Sequence, residues 1–81
     1  MGLQDFILNE CKKRDVTQNM IWEISFARGY CYTKQSIKTK TYELIDIDLI
    51  FVVGKYDRQN VYCITQKGID FLDRPKKVIE F

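Results

Sequence analysis

The stretch from Thr17 to Asp46 holds two helical patterns separated by only a few residues, and this constrains the fold more than any other feature of the chain. Thr17 stands where a helix needs an N-cap, its hydroxyl placed to accept from the unpaired N–H groups of a first turn. The helix expected over about 18–28 carries Met20, Ile24 and Ala27 on one face and Trp22 and Phe26 on another, so it should touch more than one neighbour. Gly29 ends it, and Tyr30, Cys31 and Tyr32 make a short connection. Thr33 caps the next helix, over about 34–46. At about 100° per residue, Ile37, Thr41 and Leu44 share one face, with Ile45 at its edge. Gln35, Lys38, Thr39 and Tyr42 look the other way. Two helices joined by a short turn, the second with a polar and basic outer face, form a helix-turn-helix pattern.

The flanks complete an order of elements. Residues 3–14 read as a helix with Leu3, Phe6, Ile7 and Cys11 on one stripe and cations in the last turn, followed by a break at Asp15 and Val16. Residues 49–53 are β-branched and aromatic and read as a strand. Gly54 to Asn60 reads as a seven-residue loop carrying Lys55 and Arg58. Val61 to Thr65 alternates, which turns Tyr62 and Ile64 inward. Thr65 caps a short last helix with Ile69, Phe71 and Leu72, closed by Pro75, and Ile69 and Leu72 are expected to join Tyr62 and Ile64 in the core. The expectation is one α+β domain over 1–81, with 74–81 as a tail. Three helices, a hairpin and a short helix are the winged helix-turn-helix order, with the wing at 54–60.

Within that order, Tyr62-Cys63-Ile64-Thr65-Gln66-Lys67-Gly68-Ile69-Asp70-Phe71-Leu72 resembles the Tyr-x-Ile/Leu-Thr-x-Lys-Gly-x-x-Phe-Leu ending of small archaeal winged-helix regulators. Tyr32-Thr33-Lys34-Gln35-Ser36-Ile37, then Leu44, then Asp48-Leu49-Ile50 match that family's earlier landmarks more loosely. Small winged-helix proteins of archaeal viruses are similar too. The resemblance implies a DNA-binding regulator of transcription. Two departures stand out: Asp48 occupies the place of a usual glycine, and Ser36 stands where the family has more apolar weight.

The distribution of charge agrees. The formal net charge is only +2, yet no acidic residue lies between Glu23 and Glu43, while Arg28, Lys34, Lys38 and Lys40 fall in that gap. An α-helix fits the major groove of duplex DNA. Lys34, Gln35, Lys38, Thr39 and Tyr42 would offer it donors and acceptors, Arg28 and Lys40 would flank them on phosphates, and Lys55 and Arg58 would carry the wing to an adjacent groove or to the backbone. The expected function is a sequence-specific double-stranded DNA-binding transcription regulator. The alternative is a winged-helix module that binds protein, since one fold serves many functions.

Other chemistry has little support. There is no histidine, which removes Ser-His and Cys-His pairs, and Ser25 and Ser36 fall inside expected helices. The glycines are isolated, so no phosphate loop is read. Cys11, Cys31 and Cys63 are widely spaced, and neither a metal site nor a cofactor is expected. The longest apolar run, Leu49 to Val53, is far short of a membrane span, and the N-terminus does not read as a secretory signal, so an intracellular, cytoplasmic protein is expected. Aromatic residues make up 14%, and Trp22, Phe26, Tyr30 and Tyr32 are more than one small core needs. A homodimer that reads a palindrome is therefore expected, its interface drawn from Trp22, Phe26, Val78, Ile79 and Phe81, with Cys63 the first choice for a bridge between subunits.

Overall fold

Three threonines fix the starts of three helices. The Thr17 hydroxyl accepts from the Met20 N–H at 3.2 Å, that of Thr33 from Ser36 at 3.0 Å, and that of Thr65 from Gly68 at 2.9 Å. In the computed structural model, which describes residues 2–73, the elements are α1 (Leu3–Lys13), β1 (Val16–Thr17), α2 (Gln18–Ala27), α3 (Lys34–Asp46), β2 (Ile50–Tyr56), β3 (Gln59–Ile64) and α4 (Gln66–Asp73). The three strands form an antiparallel sheet in the order β1-β3-β2. Residues 74–81, with Val78, Ile79 and Phe81, lie outside the described residues.

The core gathers the buried faces of α1, α2 and α3 against the base of the sheet. Phe6, Ile7, Leu8 and Cys11 come from α1, Ile21 from α2, and Ile37 and Leu44 from α3. Val16, Leu49, Ile50, Tyr62 and Ile64 close it from the sheet. Tyr62 and Ile64 are buried as their alternation requires, whereas Ile69 and Leu72 of α4 are half-buried at the core's edge. The inner face of α2 differs from the expected one: Ile21 and Ser25 are buried, Met20 and Ile24 are half-buried, and Ala27 is exposed. Ser25 is tolerated inside because its hydroxyl donates to the Trp22 carbonyl at 2.7 Å.

Two further expectations are corrected. Val16 is no break: with Thr17 it forms β1, paired with Tyr62 and Val61. The segment from Gly54 to Asn60 is not a seven-residue loop either. Gly54, Lys55 and Tyr56 continue β2 and pair with Val61, Asn60 and Gln59. The turn is only Asp57-Arg58, both left-handed (φ 52° and 69°), as a type I′ hairpin requires. A register irregularity between Val52 and Gly54 bends the ribbon at its middle.

The end of α3 explains the unusual Asp48. The Leu49 N–H donates to the Leu44 carbonyl (2.9 Å) and the Asp48 N–H to the Ile45 carbonyl (3.0 Å), the crossed pair of a Schellman motif. Asp48 occupies its left-handed position, with φ 66°. Aspartate tolerates that region and glycine prefers it. Asp48→Gly is therefore expected to stabilise the fold by about 0.5–1 kcal/mol in chemical denaturation. A loss of stability would show that the Asp48 side chain compensates for its own backbone.

The last helix docks through its first turn. The Thr65 hydroxyl donates to the Asp48 carbonyl (2.7 Å), and the Thr65 N–H donates to the Leu49 carbonyl (3.0 Å). Gly68 is buried against the same strand entry, and a Cβ there would overlap the Leu49 carbonyl oxygen and Ile64 Cγ1.

Candidate nucleic-acid interface

Lys34, Lys38 and Tyr42 recur every fourth residue on α3, so they form one row along the helix. Ile37, Thr41 and Leu44 anchor the opposite side in the core. This leaves the row facing outward beside the start of α2 and the wing. Lys38 and Tyr42 line one side of a cleft of about 270 Å³, and Lys55, Arg58 and Asn60 of the wing line another. Gln18, Gln59 and Tyr62 complete it. A neighbouring cleft of about 250 Å³ is lined by Gln18, Asn19, Lys34 and Gln59. The two share Gln18 and Gln59 and form one polar groove between α3 and the wing, across the first turn of α2.

That groove is braced from beneath. Tyr62 is only 2% exposed, and its hydroxyl accepts from the Gln18 amide at 3.2 Å. The Asn19 N–H donates to the Gln59 side-chain oxygen, also at 3.2 Å. Because Thr17 both pairs with β3 and caps α2, the helix start is held to the base of the wing.

Of the residues expected to meet DNA, the structure gathers Lys38, Tyr42, Lys55 and Arg58 in one cleft and Lys34 in the next. The Lys34 ammonium lies 4.7 Å from the Trp22 ring centroid, a cation–π contact that holds its head over α2. Gln35 and Thr39 are exposed and bonded to each other at 3.2 Å, one helix turn apart. Lys40 is engaged with Glu43 at 2.8 Å. Arg28 is turned away to the core: its guanidinium meets Glu10 at 3.3 Å and lies 5.8 Å over the Phe6 ring. Glu10, 1% exposed, also pairs with Lys13, while its other carboxylate oxygen is buried without a partner. Gln18, Asn19, Gln59 and Asn60 were not among the expected site residues. The signal for them is two adjacent amide pairs, one opening α2 and one opening β3.

A bent β-ribbon stands beside the second helix of a basic helix-turn-helix. The fold is a winged helix. Two solved structures share it. One is a PadR family transcription regulator from Clostridium difficile, with a TM-score of 0.78 and 17% identity over 86% of this chain and 78% of that one. The other is described as a transcriptional regulator from Thermoplasma acidophilum, with a TM-score of 0.76 and 20% identity over 91% of this chain and 75% of that one. At these identities the likeness is one of fold, and it assigns no source to this chain. No family profile matches the sequence, and no curated protein does so significantly. Among the described residues no cluster of His, Cys, Asp or Glu is placed to hold a metal, and no helix of this winged helix is long and apolar enough to cross a membrane.

The other expected surfaces divide. Phe26 is 70% exposed and stacks on half-buried Trp22, with ring centroids 5.5 Å apart. Cys63 does not point freely outward. It is half-buried, its thiol donates to the Ile64 carbonyl at 3.5 Å, and burial together with the Asp15 carboxylate pushes its pKa up. Burial pushes the Cys11 thiol up to about 12, with Cys63 adding to the shift. Both stay protonated at neutral pH and are poor partners for disulfide exchange, whereas Cys31 is exposed.

Proposed function

We propose that the chain is a sequence-specific double-stranded DNA-binding regulator of transcription, with α3 in the major groove and the wing on the adjacent groove or backbone. The observation that carries this reading is the convergence of basic side chains from α3 and the wing on one groove with no acidic residue in its lining. Lys34 and Lys38 begin the helix that enters the duplex, with Gln35, Thr39 and Tyr42 beside them for base edges. Lys55 and Arg58 reach the backbone. Arg28 and Lys40 are engaged elsewhere and are left out of this set. The fold neighbours, both described as transcription regulators, agree with the reading.

The test is duplex binding at several salt concentrations. Lys34→Ala with Lys38→Ala should weaken binding and flatten the dependence of log affinity on log salt by about one to two units. Unchanged affinity in the folded double variant rejects the assignment. No salt-dependent duplex binding by the native chain favours the protein-interaction module instead. We further propose that the regulator is a homodimer, since one helix and one wing discriminate few base pairs. The Trp22–Phe26 stack is the described part of its interface. Sedimentation as a 9.7 kDa monomer at micromolar concentration would dismiss the dimer.

A further inference from the structure

The cleft between α3 and the wing draws its cations from two separate elements. Among its lining residues are three cations, Lys38, Lys55 and Arg58, and none is acidic. Several other cations are ion-paired within the fold: Lys12 with Asp73, Lys13 and Arg28 both with Glu10, and Lys40 with Glu43. Lys38, Lys55 and Arg58 have no ion-pair partner among the described residues. Like charges repel, so three cations on the walls of one cleft favour an anion among them.

The rest of the cleft suits an oxyanion. The Gln18 amide donates to the Tyr62 hydroxyl, a bond that leaves the phenolic proton itself to be donated. Tyr42 adds a second phenol, and the side chain of Asn60 an amide. At about 270 Å³ the cleft is smaller than most small-molecule sites, which run to about 300–1,000 Å³ and are mainly apolar. Its geometry is also preset. The I′ turn at Asp57-Arg58 and the pairing of Lys55 with Asn60 hold the wing residues in register. Lys38, for its part, sits on a helix anchored by Ile37 and Leu44.

We propose that this cleft is a clamp for a single phosphoryl group, on which Lys38, Lys55 and Arg58 converge from the helix and the wing together. The proposal rests on the DNA reading where the group is a backbone phosphate. The chemistry is the same for a free phosphorylated molecule. What it adds is that helix and wing share one phosphate rather than each taking their own.

The number of phosphates neutralised sets the salt dependence of duplex binding, at about 0.9 log units each. Lys38→Ala, Lys55→Ala and Arg58→Ala should each leave most of the slope in place, because two cations still neutralise the shared phosphate. The triple variant should lose only about one unit, because all three act on the same group. A triple variant that loses about three units, or none, overturns the clamp while leaving DNA binding intact. If the native chain binds no duplex, the DNA reading fails on its own and the clamp is decided with inorganic phosphate. Titrated against chloride at constant ionic strength, phosphate should then give saturable NMR shifts at the side-chain amides of Gln18, Gln59 and Asn60, and these should vanish in Arg58→Ala. Shifts equal to those in chloride overturn it. Where duplex does bind, its displacement of bound phosphate from these amides identifies the backbone as the source, and retention of phosphate identifies a separate phosphorylated ligand.

Discussion

Gly68→Ala is expected to lower stability by about 2–3 kcal/mol, an unusual loss for one added methyl group. Alanine is the better helix former by about 1 kcal/mol, so in an exposed helix the sign would be the reverse. Here the new Cβ overlaps the Leu49 carbonyl oxygen and a methylene of Ile64. A side-chain end can swing aside, but this carbonyl already accepts from the Thr65 N–H at the start of α4. To make room, α4 must lift and weaken the bond that seats it. In a domain of this size the change should appear as a fall in melting temperature of roughly 10 °C or more. A variant that melts with the native protein would mean that α4 does not rest on the Leu49–Ile64 corner.

Glu10→Ala should cost about 2–3 kcal/mol, and Glu10→Met should recover most of it. Glu10 is the carboxylate between two cations, Lys13 and Arg28, which are themselves half exposed at 50% and 43%. Water can therefore take over the cations when the anion is removed, which reduces the usual penalty for breaking a buried pair. What remains is the void left by a fully buried side chain. Methionine fills that void, and it also removes a carboxylate oxygen that is buried with no partner. Replacing a buried charge by an apolar group of similar volume is often neutral or better. Comparing the two variants by denaturation separates shape from charge. Equal losses in both would assign the stabilisation to the ion pairs with Lys13 and Arg28.

The boundaries of α3 were legible because three local signals agree: the Thr33 cap, the helical spacing of Ile37, Thr41 and Leu44, and the outward cations. The wing was harder to read. Gly54, Asp57 and Asn60 have turn chemistry, and only the pairing partner shows that Gly54 lies at a bend within the strand while Asn60 lies inside the ladder. β1 is too short for any periodicity, and only its pairing with β3 makes it a strand. Ser25 hid the buried face of α2, because a serine that bonds its own helix looks polar in the sequence and behaves as a small core residue in the fold. In the site, Lys38, Tyr42, Lys55 and Arg58 were visible as residue types, and the structure supplied their convergence. Arg28 looked equally available, but Glu10 claims it from a helix far away in sequence.

The two residues of β1 also set an order in time. Helical turns form within microseconds from contacts close in the chain, whereas a strand pair between distant segments must wait for loop closure. A nascent chain released as far as Asp46 already contains every residue of α1, α2 and α3, the basic row of Lys34, Lys38 and Tyr42 included. It has no partner for Val16 and Thr17, no Tyr62 beneath Gln18 and no wing. All three arrive with Gln59 to Ile64, the last of the described strands. The basic row of α3 is thus complete in the chain before its groove, which appears only when β3 inserts between β1 and β2.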